Sequence, residues 1–131
     1  MPRGKPCILH EGSGRARVTL SVEPVGDDLL VRLYNGQAHV GAVALAEYHA
    51  GARRASTSVL SRYGHKDDGV AYAAAYRICR QLRRTVCAVA GIHLDRIRKE
   101  EIEQIRANCS ALVDRFLDPG GGPAGRRTIS K

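Results

Sequence analysis

The sequence predicts an α+β fold with element order β-β-β-β-α-β-α: an antiparallel meander, one further strand, and two long helices packed on the sheet. Between residues 15 and 60, apolar and polar residues alternate at period two, with glycine-containing turns between the runs. From Asp67, and again from about Lys99, the period lengthens to that of a helix. Between the two helical segments lies a short run with no polar face. A chain of 131 residues is long enough for one real core.

Residues 1–14 hold two prolines, three glycines and little pattern, and are expected to form an irregular lead-in to a single domain over 15–118. In the first strand Val18, Leu20 and Val22 point one way, and Arg17, Thr19, Ser21 and Glu23 the other. Gly26-Asp27-Asp28 turns the chain into a second strand with Leu29, Val31 and Leu33 inward. Asn35-Gly36 offers the φ > 0 residues of a tight hairpin into a third strand over 39–46. That strand is small-residued, and Gly41 within it marks close approach by another group, which gives it functional interest. A fourth strand, 55–60, places Ser56 and Ser58 on one face, where hydroxyls serve solvent or a ligand.

Val70, Ala71, Ala74, Ala75, Ile78, Cys79 and Leu82 form the buried stripe of the first helix. Thr85 to Ala90 has strand length and reads as buried on both sides. The second helix carries acidic residues in its early turns, as the helix dipole prefers, and buries Ile102, Ile105, Cys109, Leu112, Val113 and Phe116. Pro119-Gly120-Gly121-Gly122-Pro123 ends it, and 119–131 reads as a flexible basic tail.

The net charge of +8 suggests nucleic acid until its distribution is considered. Arg3, Lys5, Arg126, Arg127 and Lys131 lie in tails without acidic residues, which leaves +3 on the body. With no Trp and one Phe, stacking aromatics are scarce, so Tyr72, Tyr76 and the arginines near them read as a solvated helix face. No apolar run spans a bilayer and no signal-peptide core is present, so a cytoplasmic protein is expected. Cys7, Cys79, Cys87 and Cys109 have no zinc spacing and read as reduced residues, most of them in the core.

Two junctions carry the remaining chemistry: Tyr63-Gly64-His65-Lys66-Asp67-Asp68 and Gly91-Ile92-His93-Leu94-Asp95. Each places Gly, His and Asp where the chain changes direction, and the two could converge on one site. Gly64 permits an unusual backbone conformation or a close approach, and Asp67 or Asp68 can cap the helix that follows. His65 and Lys66 beside a helix N-terminus suit an anion such as phosphate. His65 with Asp67, and His93 with Asp95, also have the composition of a metal site or an oriented general base, which keeps a small metal-dependent hydrolase as an alternative. No P-loop or dinucleotide fingerprint is present.

Residues 39–44, Gly64-His65-Lys66-Asp67-Asp68, and 89–95 followed by Lys99-Glu100-Glu101-Ile102 resemble the prenylated-flavin chaperone family typified by LpdD, over roughly 15–117. The resemblance implies a proteasome assembly chaperone-like fold and a homodimer. It implies a non-catalytic carrier that binds reduced prenylated flavin mononucleotide (FMN) and loads it into a prenylated-flavin-dependent aromatic acid decarboxylase. A flavin prenyltransferase and that decarboxylase would be its partners, without nucleic acid, membrane or metal. On this view the helix start with His65 and Lys66 holds the phosphate, and Gly64 and Asp67 of the same junction count among the cofactor-binding residues. Gly41 and the small residues of the third strand make room for the ring system, Ser58 lends a hydroxyl, and His93 completes the pocket or the dimer seam. An assembly factor of the same fold that binds only protein is the alternative.

Overall fold

The computed structural model describes residues 6–64 and 66–119. Its strands are β1 (Cys7–Glu11), β2 (Val18–Val25), β3 (Asp28–Tyr34), β4 (Ala42–His49), β5 (Arg54–Ser61) and β6 (Val86–Gly91), with helices α1 (Asp68–Leu82) and α2 (Lys99–Leu117). The α+β class is as the sequence predicts, and from β2 onward the element order matches. The expected basic tail lies outside the described residues from 120 on.

The lead-in is not irregular throughout. Cys7–Glu11 forms β1, antiparallel to β2, with Leu9 opposite Leu20 and fully buried. Five residues with one fully buried side chain are too few to show a period.

The meander is also interrupted. The sheet order is β1-β2-β3-β6-β4-β5, so β6 lies between β3 and β4, parallel to the former and antiparallel to the latter. Gly26 does turn β2 into β3 with φ 61°. Asn35-Gly36, by contrast, makes no hairpin, and neither residue takes positive φ. Residues 35–41 instead bridge across the end of β6, and the third predicted strand starts at Ala42 rather than His39. Gly91 permits the crossing: a Cβ there would lie 1.6 Å from the His39 carbonyl oxygen.

Both helices cover one face. One row of that face runs Leu9, Leu20, Leu33, Ala90, Ala42 across five strands, and the next runs Cys7, Val22, Val31, Ala88, Ala44, Val59. Side chains shrink toward β4, so α1 lies close on β4, β5 and β6 through Ala71, Ala74, Ala75, Ile78 and Cys79. Helix α2 packs on β1 and β2 through Ile105, Cys109, Leu112, Val113 and Phe116, whereas Ile102 is partly exposed. The other sheet face has no helix on it among the described residues. Accordingly β6 is buried on one side only, with Val86, Ala88 and Ala90 covered and Cys87 and Val89 partly open. No helix among the described residues is long and apolar enough to cross a membrane, and the four cysteines form no disulfide.

Candidate functional site

Strands β5 and β6 both run antiparallel to β4, so they end at the same edge of the sheet, and each is followed by a helix. Both helices therefore begin at one rim. The loops 35–41 and 92–98, with residues 62–64 and 66–67, lie along it, beyond the carboxyl ends of the parallel pair β3–β6, which is where ligands gather in open sheets of parallel strands.

Asp67 joins these loops. Its carboxylate is buried, accepts a hydrogen bond from the Ile92 N–H at 3.2 Å, and lies 3.5 Å from His39 Nε2. It also occupies the space beside Gly41, where a Cβ would lie 1.9 Å from Asp67 Oδ2. The close approach expected at Gly41 is thus made by Asp67. His39 Nδ1 is 3.0 Å from the Gln37 carbonyl. Since a carbonyl only accepts, that nitrogen carries the proton.

A second tie comes from Asn35. Its amide donates to the His93 carbonyl at 2.7 Å, and its oxygen accepts from the N–H groups of His93 and Gln37. The side chain prolongs the pairing of β3 with β6 after the two backbones separate. The His93 ring stands edge-on to His39 at 6.5 Å between centroids, and its Nε2 lies 3.0 Å from Asp95 Oδ1. The two histidine-bearing junctions therefore do meet.

The helix start differs from expectation. Neither aspartate caps α1: Asp67 is turned to Ile92 and His39, and Asp68 accepts only from the adjacent Gly69 N–H. With the Gly69 N–H taken by Asp68, the other N–H groups of the first turn have no side-chain acceptor among the described residues. Lys66 is exposed beside it. Gly64 is there for its backbone, with φ 79° and open space around it. His65 lies outside the described residues. Ser58 is not at this rim; it sits on the uncovered sheet face opposite Leu45.

Sequence reasoning missed His39, Asn35 and the polar clamp on α2. In that clamp Glu101 accepts from Arg15 Nε at 2.9 Å and from the Arg98 N–H at 3.0 Å, the latter as half of a capping box. Asn108 donates to the Ala16 carbonyl at 2.8 Å. Glu100-Glu101 at a helix start was the available signal, but the partner Arg15 is 86 residues away. The hydrogen bonds from Arg15 and Arg98 hold the Glu101 carboxyl down at about 2. A carboxyl depressed on folding stabilises the fold fully above its ordinary value, near 4.5, and loses that contribution as pH falls toward 2. Glu101→Gln should therefore melt below the parent at pH 6 and converge with it near pH 2; a constant gap across this window in thermal melts would contradict the clamp.

Burial pushes the Cys109 thiol up to about 12, and the Asp67 charge adds to the effect. Among the described residues, no three His, Cys, Asp or Glu side chains gather as a metal site.

The fold agrees with the comparisons. The chain belongs to the prenylated flavin chaperone LpdD-like domain family, whose model matches residues 12–119. In solved structures it is similar to a chain of a chaperone complex for yeast 20S proteasome assembly. The TM-score is 0.57 at 14% identity, covering 87% of this chain and 92% of that one. That likeness establishes a shared fold. No curated protein matches the chain.

Proposed function

We propose that this protein is a non-catalytic carrier that binds reduced prenylated FMN and assists its loading into a prenylated-flavin-dependent aromatic acid decarboxylase. The observation that carries the reading is the meeting of both histidine junctions through Asp67, at the rim where two helices start, in a chain of the prenylated flavin chaperone family. The uncapped first turn of α1 and Lys66 suit the ribityl phosphate, and His65 belongs to the same junction. His93 stands next to this place, and Asp67 holds the loops that form it. A flavin prenyltransferase would supply the cofactor and the apo-decarboxylase receive it, in a cytoplasm that keeps the four cysteines reduced.

We further infer that the carrier is a homodimer built on the uncovered sheet face. There Leu30, Val43, Leu45, Leu60, Cys87 and Val89 form a contiguous apolar patch, with Leu45 50% and Leu60 77% exposed. A patch of this kind is uncommon on a monomer's surface. Leu45→Asp should turn a dimer into a monomer in size-exclusion chromatography with light scattering; a parent that is itself monomeric at 100 μM (about a hundredfold above a 1 μM Kd) would refute this interface.

The test of the carrier is native mass spectrometry of protein made anaerobically with a flavin prenyltransferase. The expected species is a dimer with the added mass of prenylated FMN, and Lys66→Ala should weaken binding about tenfold, as loss of one charge-assisted hydrogen bond does. A dimer that stays empty in excess reduced cofactor would favour the second reading, a protein-only assembly factor. The shared fold with a proteasome assembly chaperone and the apolar sheet face speak for that alternative.

A further inference from the structure

The structure contains a cavity that the site at the rim does not account for. It lies between the N-terminal part of α1 and the middle of α2, holds about 570 Å³, and falls in the size range of small-molecule sites. On the α1 side it is lined by Gly69, Val70, Ala73 and Ala74, and on the α2 side by Cys109, Ser110 and Val113, with Leu33 of β3 as part of the floor. Facing residues this small do not interdigitate, which leaves the space between the helices unfilled. Toward the C-terminal side of both helices, Arg77 closes it by bonding the Ser110 carbonyl and hydroxyl and the Asp114 carboxylate. The other end opens at the rim beside Lys66 and the first turn of α1.

Its charge is one-sided. Lys66, Arg77 and Arg106 line it against the single acid Asp68. Arg77 is committed to Asp114, whereas Lys66 and Arg106 engage no partner among the described residues. An apolar trough with two uncommitted cations at its mouth suits a ligand with an apolar body and an anionic end. Space beside Gly41, the position expected to admit a ring system, is already taken by Asp67.

Resting on the carrier reading, we propose that the groove between α1 and α2 is the subsite for the apolar, prenyl-bearing part of the flavin, with Arg106 sharing the phosphate with Lys66. The ligand enters from the rim and lies between the helices, away from the uncovered sheet face. The apolar contact is made by Ala73 and its neighbours, and a larger side chain there fills the site.

The variant to make is Ala73→Phe, at an exposed helical position that accepts a large residue without disturbing the core. Binding of reduced prenylated FMN to the full chain is followed by anaerobic fluorescence titration, with melting curves to confirm the fold. Ala73→Phe should lose at least tenfold in affinity, Arg106→Ala about tenfold, and Ala73→Ser little. If Ala73→Phe and Arg106→Ala bind as tightly as the parent while Lys66→Ala is weakened, the groove is wrong and the carrier stands. If the parent itself does not bind, both fall.

Discussion

Gly91→Ala is expected to cost about 3 kcal/mol or more, a large share of the 5–15 kcal/mol typical of a domain. The added Cβ would meet the His39 carbonyl oxygen at 1.6 Å and its carbon at 2.5 Å, and both are backbone atoms that no rotamer change can move aside. The chain at 35–41 has to pass over the end of β6, because β3 and β4 lie on either side of it. Relief therefore requires lifting that bridge, which breaks the Asn35 bonds to His93 and moves His39 from Asp67. Thermal melts should show the midpoint lowered by roughly 10 °C or more. A variant within about 2 °C of the parent, well under the shift that 1 kcal/mol produces, would mean the bridge can rise freely.

The second large effect concerns Asp67 and Gly41 as a pair. Asp67→Ala leaves the Ile92 N–H without its acceptor and should cost about 2–3 kcal/mol. Gly41→Ala alone drives a Cβ to 1.9 Å from Asp67 Oδ2 and should cost about 2 kcal/mol. Together they should cost less than the sum by about 1–2 kcal/mol, since removing the carboxylate makes room for the methyl group. Urea unfolding of the four proteins closes the cycle. Additivity within about 0.5 kcal/mol would show that Asp67 is not what requires glycine at 41.

These two glycines also show how far the sequence can be read. Period-two alternation identifies β2 and β3, apolar runs of strand length identify β4 and β6, and the helical period identifies both helices. They do not say which strands are neighbours. Asn35-Gly36 has the composition of a hairpin turn, yet the Asn35 side chain bonds the backbone of His93, 58 residues on. A local motif and a long-range tie have the same composition there. The convergence of the two histidine junctions was legible from their shared pattern. His39 was not, since it lay inside what reads as a strand, and only the insertion of β6 lifts it onto the rim. Asp67 looked like a helix cap because its place in the chain is a cap's place. Its actual partners come from two other loops.

The position of β6 has a consequence for how the protein forms. The strand at the centre of the sheet is the last strand in sequence among the described residues. Until residues 86–91 emerge from the ribosome, β1-β2-β3 and β4-β5 are two separate antiparallel pieces, and the inner edges of β3 and β4 have unpaired backbone groups. Such edges invite wrong pairing with other chains. Joining them requires contact between residues more than 50 apart, from Leu29 with Val86 to Tyr34 with Gly91, which favours slow closure. A protein of a chaperone family thus passes, during its own synthesis, through a state with an open cleft in the middle of its sheet.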